Sequence, residues 1–210
     1  MRCGSDCRKQ REHNARALLV GIDIFRQPKP PLRWALIEVD RVARIYGEQS
    51  DRLRNEEATT EILRSWAESG LLNHYATLHL VSHAYLDAAS GALSGIALWD
   101  DDLTFVEIGR LRLEPAVVVL SACQSGLGEI NPGDEIVSLP YAFLTAGAQT
   151  VIASLWHVDD ESTADLMAAL HFHLHAGRSP AVALARTQRQ AIQRGYTPYE
   201  WGAFVATGVP

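Results

Sequence analysis

Val117-Val118-Val119-Leu120-Ser121-Ala122-Cys123-Gln124-Ser125-Gly126 is the stretch on which the reading of this 210-residue chain turns. Its opening run is apolar and mostly β-branched, which suits a strand buried on both faces, and it stops at a cysteine among small residues. Upstream, Leu78-His79-Leu80-Val81-Ser82 is a second such run, and it stops at His83. Parallel strands place whatever follows them along one crevice at the carboxyl edge of the sheet. Two strands that deliver an imidazole and a thiol to that edge supply a general base and a nucleophile.

Outward from this pair, apolar runs alternate with amphipathic stretches, the signature of a parallel sheet joined by crossover helices. Strands are expected at Arg16–Ile22, Thr77–Ser82, Ala116–Ser121 and Thr150–Leu155, with a short one at Ile96–Trp99 and a last one at Trp201–Ala206. The first ends near Asp23, and the proline-rich Gln27–Pro31 that follows is a loop. One helix is expected over Glu38–Gln49, where Val39, Val42, Ala43 and Tyr46 share a face. Another spans Thr59–Ser69, with Gly70 as its stop. Thr104 and Glu107 form a capping box, and Ser138 opens a helix carrying Pro140 in its first turn. Ser162 and Asp165 open a further helix, and Ser179-Pro180 opens one that Gly195 ends. The expectation is an α/β three-layer sandwich with a mostly parallel sheet of about six strands. Residues 1–15 form a flexible tail and 16–210 a single domain.

Composition excludes several classes. Hydrophobic residues make up 47% and charged residues 21%, as in an ordinary globular chain. A net charge of −6 lacks the basic face that nucleic acid requires. No apolar stretch is long enough to span a bilayer, and the polar, basic Met1–Arg16 is unlike a secretion signal. Cys3, Cys7 and Cys123 are too few for a disulfide scaffold, which favours a reducing, cytoplasmic setting. Cys3 and Cys7 have no second pair at ligand spacing, so no metal and no cofactor is expected. Asp100-Asp101-Asp102 lacks the spacing of a calcium loop.

His83 and Cys123 are therefore the catalytic candidates, with Gln124–Gly133 as the loop beside them. A thiol is a weak nucleophile until ionised, and a neighbouring imidazole both ionises it and later protonates a leaving amine. His79 lies on the same strand face as His83, but an earlier position there points into the core. The acids near strand ends, Asp23, Asp159 and Asp160, would favour a basic substrate side chain if they line the crevice.

Taken together, these residues resemble the CHAT family of caspase-like peptidases, relatives of caspases, metacaspases and separase. The likeness covers nearly the whole chain after about residue 15. It rests on Arg16–Asp23, Glu57-Ala58-Thr59, Leu120–Gly126, Gly133-Asp134-Glu135, Ala142–Ala148, Ala153–Asp160 and Pro198–Val205. It implies a cysteine endopeptidase that cleaves a protein substrate through a His83–Cys123 dyad and a thioester acyl-enzyme. The backbone N–H groups of Cys123 and Ala84 would form the oxyanion hole. Ala84 stands where the family usually has glycine, so a left-handed backbone there would be strained. Ser154, Leu155 and Trp156 would pair with an extended substrate chain. Family members usually carry tetratricopeptide or other sensor modules. This chain shows none, so a separate regulatory partner or sensor protein is expected to supply control. Kinship also implies a bacterial defence or signalling role. The competing reading is a catalytically silent caspase-like interaction module. A flavodoxin-like binding domain is disfavoured by the lack of a glycine-rich loop after the first strand.

Overall fold

β1 (Ala17–Gly21) is buried at every position, as a strand covered on both faces must be. It belongs to a computed structural model that describes residues 16–85, 94–113, 117–122, 128–130 and 136–209. The expected 1–15 tail, Cys123 and most of the Gln124–Gly133 loop lie outside the described residues.

Six strands form the main sheet. β2 (Ser50–Arg54), β3 (Thr77–Val81), β7 (Val117–Ser121), β10 (Thr150–Ser154) and β11 (Phe204–Gly208) join β1 in the order β11-β10-β7-β3-β1-β2. All pairings are parallel except that of β10 with β11. Two small antiparallel ladders decorate it, β4 (Ala84–Tyr85), β5 (Gly95–Ala97) and β6 (Asp102–Thr104) in one, β8 (Gly128–Ile130) and β9 (Ile136–Ser138) in the other.

Strand alternation distributes the core to two helical layers. Leu18, Val20, Leu78, Leu80, Val118 and Leu120 face one side, where they meet α2 (Thr60–Glu68), α3 (Phe105–Ile108) and α4 (Leu139–Thr145). Leu19, Val119 and Ile152 face the other, against α1 (Ala35–Tyr46), α5 (Asp160–His175) and α6 (Pro180–Gln193). The fold is the expected α/β sandwich with a mostly parallel sheet.

Several local expectations hold. Val39, Val42, Ala43 and Tyr46 form the buried face of α1, and Glu38 joins them. The helix expected over Thr59–Ser69 is α2, with Thr59 and Ser69 as its flanking caps, and Thr104 and Glu107 close the expected capping box on α3. α4 carries Pro140 in its first turn, and Gly147 at φ 110° ends it. Others are corrected. α5 begins two residues before Ser162, because the Asp159 carboxylate accepts from the N–H groups of Glu161 and Ser162. The last strand starts at Phe204, after the short α7 (Pro198–Trp201), whose start the Thr197–Glu200 capping box fixes. β2 had no signal at all, since Ser50-Asp51-Arg52-Leu53-Arg54 is polar and sits at the sheet edge.

Candidate active site

β3 and β7 are adjacent and parallel, with Val81 opposite Ser121. His83 follows Val81 by two residues at this edge of the sheet, and in the sequence Cys123 follows Ser121 by the same two. Cys123 itself lies outside the described residues. Its predecessor does not: the Ala122 carbonyl accepts from the Ser154 hydroxyl at 2.7 Å, tying the end of β7 to the end of β10.

His83 is held from three directions. Its ring Nε2 is 2.7 Å from the Pro30 carbonyl, its ring lies 5.2 Å from that of Phe25, and its own carbonyl accepts from the Ala97 N–H at 2.9 Å. A carbonyl can only accept, so Nε2 donates to it, and in the neutral tautomer the lone pair falls on Nδ1. A base oriented by a third group in this way is the usual arrangement for activating a nucleophile. By sequence alone Pro30 is only a loop residue. Nothing in a sequence marks a backbone carbonyl as the partner of a residue 53 positions away.

Ala84 opens β4 opposite Ile96. Because His83 and Ala97 form the hydrogen-bonded pair of that ladder, Ala84 and Ile96 form the other kind of pair, and the Ala84 N–H points outward from it. Asn55 is the only described non-glycine residue with a positive φ, at 46°, so Ala84 needs no left-handed backbone. The strain expected of alanine here does not arise. Asn55 instead shapes the exit of β1, its side-chain oxygen accepting from the N–H groups of Asp23 and Ile24.

A crevice runs along the ends of β3, β7 and β10, between the first turns of α1 and α5. Trp34, Glu38, Val81, Ser121, Ser154 and Asp160 are among its walls. The three acids singled out in the sequence part company here. Asp160 lines the crevice, Asp159 uses its carboxylate as the α5 cap, and Asp23 is not among the lining residues. Ser154 ends a strand that is paired on both sides, itself opposite Phe204, and the Leu155 N–H is already taken by the Ala203 carbonyl at 2.9 Å. The Trp156 indole N–H donates to the Tyr199 carbonyl, and the two rings stack. An incoming strand would thus meet Trp156 before it met a free N–H at Leu155.

Beneath the crevice lies a buried polar row, in which His79 points into the core as the sequence leads one to expect, while no signal in the sequence marks Glu38, His171 and Tyr46 as its partners. His79 occupies the sheet position between Leu19 and Val119 and is fully buried. Its Nε2 faces the Glu38 carboxylate at 2.9 Å, its Nδ1 is 3.2 Å from His171 Nε2, and His171 Nδ1 is 3.2 Å from the Tyr46 hydroxyl. Burial, then the neighbouring His79, holds the His171 pKa well below the ordinary imidazole value, so this ring stays neutral. Burial likewise pushes the Tyr46 hydroxyl up to about 12, keeping its proton. One direction satisfies the row: Tyr46 donates to His171, His171 to His79, and the His79 Nε2–H faces Glu38. Among the described residues no cluster of His, Cys, Asp and Glu is arranged to hold a metal. No described helix is long and apolar enough to cross a membrane.

Comparison with known proteins places this geometry. The pattern of the CHAT domain family matches residues 2–209. The mouse (Mus musculus) tetratricopeptide repeat protein 28 is 32% identical over 108 residues, half of this chain. The chain spans only 4% of that relative's length. Among solved structures, the Arg-specific cysteine proteinase gingipain R superposes with a TM-score of 0.61 at 10% identity, over 93% of this chain and 46% of its own. A pro-Sf-caspase-1 structure gives 0.55 at 13% identity, over 92% of this chain and 86% of its own. At such identities the likeness is one of fold, and that fold is caspase-like.

Proposed function

This chain belongs to the CHAT domain family, and from that premise we propose that it is a cysteine endopeptidase acting through His83 and Cys123. The observation that supports the proposal is the Pro30 carbonyl on His83 Nε2, which leaves Nδ1 free to act as the base at the end of β3, next to the end of β7, the strand that Cys123 follows in the sequence.

In the proposed cycle, His83 Nδ1 takes the Cys123 proton and the thiolate attacks the scissile carbonyl. The backbone N–H groups of Cys123 and Ala84 receive the oxyanion, and losing one such donor costs on the order of ~3 kcal/mol. The tetrahedral adduct collapses as His83 returns the proton to the leaving amine. Water, deprotonated by His83, then hydrolyses the thioester and frees Cys123. The substrate chain lies beside Leu155 and Trp156, with Ser154 bracing the floor through Ala122. A protein substrate in a reducing cytoplasm, under the control of a regulatory partner in a bacterial defence or signalling pathway, completes the reading.

The test is a purified Cys123→Ala chain beside the wild type on an unbiased peptide library. Cleavage is expected to vanish in Cys123→Ala while circular dichroism and melting temperature stay unchanged. A variant that still cleaves would sink the proposal.

A further inference from the structure

We propose that Glu38 sets substrate specificity, its carboxylate accepting the ammonium or guanidinium of the residue just before the scissile bond. This rests on the peptidase reading and adds to it the group that recognises the substrate.

Glu38 is 2% exposed yet is among the residues that line the crevice, which puts the residue at its deep end. A buried carboxylate is costly unless donors surround it. Here one oxygen faces His79 at 2.9 Å, but neither Glu38 Oε1 nor His79 Nε2 makes an aligned hydrogen bond. No Lys or Arg is among the described residues that line the crevice.

The walls suit the same ligand. Trp34, Val81, Val158 and Phe204 offer an apolar channel for a methylene stem, and Asp160 adds a second negative charge. The N-termini of α1 and α5 open into the crevice and oppose a cation, but each is worth only about +0.5 charge against a whole carboxylate on each helix. Ser121 and Ala122, which immediately precede Cys123 in the sequence, form the adjoining wall, and a side chain entering here is therefore assigned to the residue before the scissile bond.

Glu38 also lies in the first turn of α1, where an acid is stabilising whatever its ligand, so the test must separate the two roles. Fluorogenic peptides carrying Arg, Lys, Gln or Leu before the cleaved bond are assayed with the wild-type chain and with Glu38→Gln. The wild type is expected to prefer Arg and Lys. Glu38→Gln should lose about ten- to hundredfold in kcat/KM on those peptides, mostly in KM, as for a lost charge-assisted hydrogen bond. The Leu peptide should be unaffected. An equal loss on all four peptides, or a wild type that prefers Leu or Gln, overturns the inference. Should Glu38→Gln not fold, Glu38→Asp replaces it. Retreat of the carboxylate by one methylene should raise the Arg-to-Lys cleavage ratio, and an unchanged ratio overturns the inference. Calorimetry of Cys123→Ala, with and without Glu38→Gln, against peptides ending in Arg or Leu keeps the two readings apart. Arg-selective binding that needs Glu38, in a chain whose wild type cleaves nothing, retains the inference and removes the peptidase. Cleavage that ignores Glu38 does the reverse, and neither cleavage nor Arg-selective binding removes both.

Discussion

Gly95 shows how closely the base is packed from behind. A Cβ there would lie 2.6 Å from the Leu103 carbonyl oxygen, 2.9 Å from the Tyr85 hydroxyl and 3.1 Å from Thr104 Cα. Two of these neighbours are backbone and cannot yield without opening the ladder that holds the His83 carbonyl. Gly95→Ala is therefore expected to destabilise the chain by about 1–3 kcal/mol, as overpacking does, read from the midpoint of urea unfolding. Residual native Gly95→Ala should also cleave more slowly, since β4 and β5 move together. At this scale the sequence was legible for side chains that end strands and opaque for groups that act from elsewhere. His83 and Cys123 stood out because an apolar run stops at each. Glu38 did not, since an acid in a helical stretch is ordinarily solvated, and only the placement of His79 opposite it reveals the burial.

Among the elements, β3 and α5 share a consequence that can be titrated. His171 on α5 is fully buried and its pKa is lowered in the folded chain, whereas in the unfolded chain it takes a proton near pH ~6.5. As pH falls below that point the unfolded state gains a proton the folded state refuses. The contribution of His171 is thus complete above about pH 6.5 and is lost progressively below it. Urea midpoints followed downward from neutral pH should fall, and His171→Leu, though less stable overall, should show a shallower decline. An identical slope in the two proteins would refute this account. α5 makes a second test possible: Asp159→Ala removes its cap and should cost about 1 kcal/mol, while cleavage of Arg peptides persists because Asp160 is intact. Elements of strong period or clear capping were readable, as α1, α2 and α3 were. β2 was not, because an edge strand with Asp51, Arg52 and Arg54 needs no apolar alternation, and its ion pairs with Arg16 and Asp40 are tertiary.

Across the whole molecule, the layering followed from period alone, since two-sided burial of β1, β3, β7 and β10 leaves helices nowhere to lie but on the two faces. What period could not supply was the meeting of remote loops at one edge. Those meetings are made largely by main-chain atoms, with the Pro30 carbonyl on the His83 ring and the Ala97 N–H on the His83 carbonyl. This bears on how such a site is inherited and how it is found. An acceptor that belongs to the backbone survives every substitution at position 30, so an alanine scan would pass over it without a signal. Pro30→Ala keeps the oxygen and forfeits only the stiffness of the ring. Selection acting on that contact sees the path of the loop and not the letter, so lineages can exchange almost every residue around the base while keeping it aimed.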